Sequence, residues 1–232
     1  RKALHCGDRS VTWREFADRV MRLAGVLQDL GVTAGTGVAM LADAGMPFFD
    51  YHFAVPWAGG VMVPLNTRLA DAELGFILHD AEAKVLIVGR EYAERVPALL
   101  KLAPGVRELV MIDAPPGGDV RDYETLLAAR APVPDVRRGG SDLHAIVYTG
   151  GTTGRPKGVM TSHANLVANT LAAIPNMEFG EDMVYLHSMP VFHTAGIARI
   201  YGTMTALGTG IILPRFDMDG LFDAVEQHRC TH

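Results

Sequence analysis

The 232-residue sequence predicts an α/β fold, with helices layered around mostly parallel sheets. Short β-branched runs alternate with amphipathic stretches, the pattern of strands connected through helices. The first helix is marked at both ends: Thr12 and Glu15 form a T-x-x-E capping box, and Gly31 stands where a helix C-terminal glycine belongs. No internal repeat interrupts the alternation.

Between those marks Phe16, Val20, Leu23, Leu27 and Leu30 recur at helical spacing. Residues 38–41 read as a strand, and Pro47 opens the next helix at its first position. A second strand over 61–65 ends in the turn-like Asn66-Thr67-Arg68. A helix over 72–80 leads to a strand at 84–88, and a helix over 92–102 leads to a strand at 108–112. The intervals 114–119 and 131–140 are loop-rich, and the second contains Pro132, Pro134 and two glycines. Residues 1–140 therefore read as an N-terminal α/β subdomain, and 141–232 as a separate segment carrying the main motif. A helix over 218–228 closes the chain where another strand is due, so the domain reads as truncated.

Composition removes several function classes. With 49% hydrophobic and 20% charged residues the chain has the make-up of a globular protein. The formal net charge of −5 gives no general attraction to nucleic acid or an anionic membrane. The most apolar stretch, 53–65, is broken by Pro56, Gly59, Gly60 and Pro64, so no membrane span is expected. Cys6 and Cys230, two lone cysteines at opposite ends of the chain, match neither a zinc motif nor a disulfide framework, which suits a cytoplasmic protein.

The chemistry concentrates after the apolar strand Ala145-Ile-Val-Tyr-Thr149, which runs into Gly150-Gly-Thr-Thr-Gly-Arg-Pro-Lys-Gly158. Gly150, Gly151 and Gly154 let backbone come close to a ligand and adopt positive φ. Thr149, Thr152 and Thr153 add hydroxyl donors, and Lys157 adds a mobile cation. A polyphosphate needs this set of close amides, hydroxyls and positive charge. The Walker loop is excluded, because Lys157 is followed by glycine rather than Ser or Thr. A plain glycine-rich hairpin is the alternative.

Tyr148-Thr-Gly-Gly-Thr-Thr-Gly-Arg-Pro-Lys-Gly-Val159 closely resembles the signature of the adenylate-forming superfamily, with Gly150 where a serine is usual. That superfamily includes acyl-CoA synthetases, luciferases and the adenylation domains of peptide synthetases. Ser10-Val-Thr-Trp-Arg-Glu-Phe16, Ala58-Gly-Gly-Val-Met-Val-Pro-Leu-Asn66 and Ser162-His-Ala-Asn-Leu166 resemble flanking family segments in the right order. The resemblance implies an incomplete N-terminal domain of the adenylate-forming fold. It implies that Thr149, Gly150, Gly151, Thr152, Thr153, Gly154 and Lys157 hold the ATP phosphates, bridged by Mg²⁺. Coenzyme A would then take the acyl group from the adenylate.

Met189-Pro-Val-Phe-His-Thr-Ala-Gly196 resembles the family's acyl-pocket motif, which puts His193, Thr194 and Gly196 along the path of the acid. Amino-acid-activating members carry Phe-Asp here, whereas this chain has Phe192-His193. A buried ammonium without a counter-charge is costly, so a simple fatty or aryl acid is favoured. The family's Tyr-Gly-x-Thr-Glu and Thr-Gly-Asp segments are absent, and no residue of the 232 qualifies as catalytic; alone they are expected to make no acyl-adenylate. An acyl-CoA synthetase ranks first, ahead of a luciferase-like or amino-acid-adenylating enzyme and a non-catalytic nucleotide-binding module. Whether the protein forms a homodimer is an open expectation.

Overall fold

The structure, a computed structural model, describes residues 1–118, 120–150 and 155–232. Strands β1 (Lys2–Cys6) and β2 (Arg9–Thr12) precede helix α1 (Trp13–Asp29). Then come β3 (Gly37–Leu41), α2 (Met46–Ala58), β4 (Val61–Pro64), α3 (Asp71–Asp80) and β5 (Ala83–Gly89). A 3₁₀ segment (Arg90–Arg95) leads to α4 (Val96–Leu102), β6 (Glu108–Ile112), β7 (Arg121–Asp122) and α5 (Tyr123–Ala129). The remainder is β8 (Leu143–Thr149), β9 (Lys157–Ser162), α6 (His163–Asn176), β10 (Val184–His187), α7 (Thr194–Thr205), β11 (Thr209–Ile212) and α8 (Met218–His228).

These strands form a larger sheet of order β7-β6-β5-β3-β4-β8-β9 and a smaller one of order β10-β11-β1-β2. Pairing is parallel except for β1 with β2 and β8 with β9. Strands on both sides of Gly140 share both sheets: β8 pairs with β4, and β11 with β1.

Helix α2 explains the layering. Its apolar residues surround the axis, and Met46, Phe48, Phe49, Tyr51, Ala54 and Val55 are all buried, as a helix lodged between two sheets requires. Tyr51 donates to Val38 O at 2.8 Å and accepts from Val63 N–H at 2.8 Å, so its hydroxyl ties α2 to β3 and β4 without a buried unpaired group. The core around α1, α2 and α7 joins residues of both sheets, while a second core packs α3 and α4 on the far face of the larger one.

A charged network crosses the first core. Arg19 donates to Asp50 Oδ2 at 3.0 and 2.6 Å and to Glu124 at 2.8 and 2.9 Å, with Tyr123 donating to Asp50 at 3.1 Å. It pins α5 and α2 to α1. Burial opposes the Glu124 carboxylate, but hydrogen bonds from Arg19 and Arg9 hold it below the usual range.

The capping box forms as expected, with Glu15 N–H donating to Thr12 Oγ1 and Thr12 N–H to Glu15 Oε2. Two expectations shift. The helix expected over 92–102 is a 3₁₀ segment followed by a short α-helix, because Pro97 fits only in a first turn, where its missing N–H is not needed. Pro47 occupies the second helical position, after Met46.

Candidate active site

The glycine-rich segment connects two antiparallel strands at the edge of the larger sheet. Thr149 lies opposite Lys157, Tyr148 opposite Gly158, and Val147 opposite Val159. Thr149, Gly150 and Lys157 are exposed at the open end of this hairpin. Gly151, Thr152, Thr153 and Gly154 lie outside the described residues.

Alternation along a strand divides the hairpin into two faces. On one face Tyr148 donates to Asp80 Oδ2 of α3 at 2.6 Å, and Arg155 sits 5.7 Å over the ring of Phe76, also on α3. Burial and the Asp80 carboxylate both push the Tyr148 phenol pKa up, so it remains a donor. Gly158 makes room for this arrangement: a Cβ there would sit 2.8 Å from Ile146 Cγ2 and 3.0 Å from Tyr148 Cζ. One glycine of the signature thus has a packing cause.

Thr149 and Lys157 belong to the other face, shared with Ala145, Val147 and Thr161. These last three line a cavity of about 450 Å³ between β8, β9, α6 and α7. Asn165, Leu166 and Asn169 contribute from α6, and Thr194, Ala195, Ile197 and Ala198 from α7. No charged side chain lines it among the described residues.

The Ser-His-Ala-Asn segment shapes this wall by capping α6. Ser162 Oγ accepts from Asn165 N–H at 3.2 Å, and Asn165 Oδ1 accepts from Ser162 N–H at 3.1 Å and from its hydroxyl at 2.9 Å. His193 caps α7 by a single bond, its Nδ1 accepting from Ala195 N–H at 3.3 Å. Of the three residues expected along the acid's path, Thr194 lines the cavity. Gly196 lets the first turn of α7 press on the preceding loop, since a Cβ there would meet Pro190 O at 2.2 Å. Met189, Pro190, Val191 and Phe192 line a second cleft of about 540 Å³, with Asp43, Arg68 and Arg215 at its edge. Arg215 pairs with Asp43 at 2.8 Å.

Sequence reading missed a buried polar chain beside the cavity. Tyr201 donates to the carbonyl of His52, and His144 Nε2 lies 3.0 Å from the Tyr201 hydroxyl. His52 Nε2 lies 3.4 Å from Val191 O, which links this chain to the Met189–Phe192 loop. Burial pushes the His52 pKa down to about 4 and that of His144 to about 3, so both are neutral near pH 7. No sequence motif marks these residues, because α2, β8 and α7 bring them together from distant positions.

The two-sheet fold with its edge hairpin is that of the N-terminal domain of adenylate-forming enzymes. The chain belongs to the family of AMP-binding enzymes, whose model matches residues 1–232. Among its relatives, the feruloyl-CoA synthase of an Amycolatopsis species is 37% identical over 230 residues, covering 99% of this chain and 44% of that protein. The peroxisomal butyrate–CoA ligase of Arabidopsis thaliana is 30% identical over 248 residues, covering 100% and 43%. The chain thus spans less than half the length of these relatives. Among solved structures, ATP-bound MatB from Rhodopseudomonas palustris superposes with a TM-score of 0.87 at 30% identity, covering 98% of this chain and 45% of that one. The N-terminal domain of FACL13 from Mycobacterium tuberculosis gives 0.90 at 26%, covering 99% and 57%.

Proposed function

We propose that this chain supplies the phosphate hairpin and acyl cavity of an acyl-CoA synthetase, which joins a carboxylic acid to ATP as an acyl-adenylate and passes the acyl group to coenzyme A. The observation that carries this reading is the shared face: Thr149 and Lys157 stand at the open end of the strand pair whose next residues, Val147 and Ala145, line the cavity. At about 3.3 Å per residue, the cavity wall begins about 7 Å from Thr149. A nucleotide held at the hairpin and an acid held in the cavity would meet within one substrate length.

The carboxylate oxygen attacks the α-phosphorus of ATP, and pyrophosphate leaves. Both reactants are anions, so the chain must offset their charge and fix their approach. Lys157 supplies a cation, Thr149 a hydroxyl, and Gly150, Gly151, Thr152, Thr153 and Gly154 the close backbone and hydroxyl donors. Among the described residues no group of three His, Cys, Asp or Glu could hold a metal ion; Mg²⁺ bound with ATP would offset part of the phosphates' charge.

Relatives are named for acids as different as butyrate and ferulate, so the cavity itself must indicate the substrate. Among the described residues its lining carries no charge to balance an ammonium or a second carboxylate, which favours a monocarboxylic acid with a neutral tail. The second cleft carries Arg68 beside the Arg215–Asp43 pair, a net positive charge that would suit the phosphates of coenzyme A. Two free cysteines fit a reducing compartment such as the cytoplasm, and no described helix is long and apolar enough to cross a membrane.

The test is acid-dependent ATP–pyrophosphate exchange by the protein made from its complete reading frame. Exchange with monocarboxylic acids, followed by thioester formation when coenzyme A is added, supports the reading; no exchange with any acid in a broad panel removes it. The 232 residues by themselves are expected to give no exchange.

A further inference from the structure

Besides Thr161, Asn165, Asn169 and Thr194, the cavity lining includes a buried histidine, His144. His144 belongs to β8, where simple alternation would turn it away from Ala145 and the cavity. The ladder slips between Leu143 and Ala145: Leu143 pairs with Ser162 and Ala145 with Thr161, leaving His144 as the extra residue of a bulge. Bulges re-aim side chains in this way. His144 consequently lines the cavity beside Ala145 and Val147, although it is only 1% exposed.

Its tautomer follows from its partners. The Tyr201 hydroxyl has one hydrogen and spends it on the His52 carbonyl, which can only accept. Tyr201 oxygen must therefore accept from His144, and the His144 proton sits on Nε2. Nδ1 is left as a lone-pair acceptor on a ring that burial keeps neutral across the physiological range. The His163 ring stands edge-on at 4.9 Å and 87°, fixing the imidazole from the α6 side. An oriented neutral acceptor in a largely apolar cavity rewards a ligand that brings a donor.

We propose that His144 is a specificity-determining residue, whose Nδ1 accepts a hydrogen bond from a hydroxyl on the tail of the acid. The favoured substrates are then monocarboxylic acids with an uncharged, hydroxylated tail. His144 lies five residues back along the strand from Thr149, about 16 Å, so the hydroxyl belongs at the far end of the tail rather than beside the carboxylate. This inference rests on the cavity being the acyl site.

The experiment compares matched acids in ATP–pyrophosphate exchange by the full-length protein: octanoic with 8-hydroxyoctanoic acid, and 3-phenylpropanoic with 3-(4-hydroxyphenyl)propanoic acid. In at least one pair the hydroxylated acid should show a kcat/KM higher by roughly tenfold, expressed mainly as a lower KM. His144→Phe, which keeps a ring and removes the acceptor, should bring that ratio close to one. Wild-type protein that activates the plain acids equally well or better overturns the inference and leaves the acyl-CoA synthetase reading standing. A preference that persists in His144→Phe removes the role from His144. Failure to activate any acid removes both readings. A wild type without the preference overturns the inference whether or not the variant folds.

Discussion

Tyr148 and Asp80 join the β8–β9 hairpin to helix α3 through a 2.6 Å hydrogen bond from the phenol to the carboxylate. The bond lies on the back of the hairpin, opposite the face that carries Thr149 and Lys157. It thus fixes the hairpin without occupying the face of Thr149 and Lys157. Tyr148→Phe should cost about 1 kcal/mol of stability, discounted from the usual charged-acceptor value because Asp80 is exposed. Urea unfolding measures this directly, and an unchanged midpoint would show that the bond contributes nothing.

Gly158 and Tyr148 should behave as a coupled pair. Gly158→Ala places a methyl group against the Tyr148 ring and Ile146, and should destabilise by about 1–3 kcal/mol. In a Tyr148→Ala background much of that penalty should vanish, because the ring has gone. A double-mutant cycle reads the coupling, and strictly additive losses would mean the glycine is needed for another reason.

Arg19 is the centre of the charged network between α1, α2 and α5. Arg19→Met leaves Asp50, which is 0% exposed, as a buried carboxylate without its counter-charge. A loss of about 3–5 kcal/mol is expected by chemical denaturation. A loss below about 1 kcal/mol would mean that the network is dispensable.

Three buried histidines set the acid limit of the fold. Burial lowers His52 to about 4, and His144 and His187 to about 3, against about 6.5 in the unfolded chain. Above pH 6.5 neither state carries these protons, and stability is full. Below it the unfolded chain takes up protons that the folded one refuses, so stability falls as the pH drops from about 6.5 towards 4. Each histidine contributes a slope of up to about 1.4 kcal/mol per pH unit. Urea midpoints at pH 7, 6 and 5 should decline progressively; equal midpoints at pH 7 and 5 would contradict the neutral, buried state.

How much of this was legible beforehand depends on the range of the signal. Local signals read well: the α1 capping box, the strands at 38–41 and 108–112 and the final helix over 218–228 lie where spacing and caps put them. Strands β1 and β2 are not marked by spacing, because β1 has five residues and β2 four, and β1 is held in its sheet by β11, some 200 residues later, with β2 pairing onto β1 at the edge. The 3₁₀ segment at Arg90–Arg95 depended on Pro97, a breaker close to the expected helix start.

For the candidate site, the glycine-threonine-lysine segment announced itself through composition, and its hairpin setting followed from the two flanking strands. His144 did not, since an imidazole inside an apolar strand looks like core. Its exposure to the cavity arises from a one-residue slip against β9 that no periodicity reveals. His52 and Tyr201 likewise meet only in three dimensions. Gly196 stood out within its motif, but its close approach to Pro190 is a matter of tertiary packing.

The central claim is that the open end of the β8–β9 hairpin holds the phosphates of ATP while the same face leads into the acid's cavity. Lys157→Ala in the full-length protein tests it most directly, read as ATP–pyrophosphate exchange at varied ATP with acid saturating. Loss of a charged hydrogen bond of about 1.5–3 kcal/mol predicts a fall in kcat/KM for ATP by a factor of roughly ten or more. A folded variant exchanging at the wild-type rate and with the wild-type KM for ATP would contradict it.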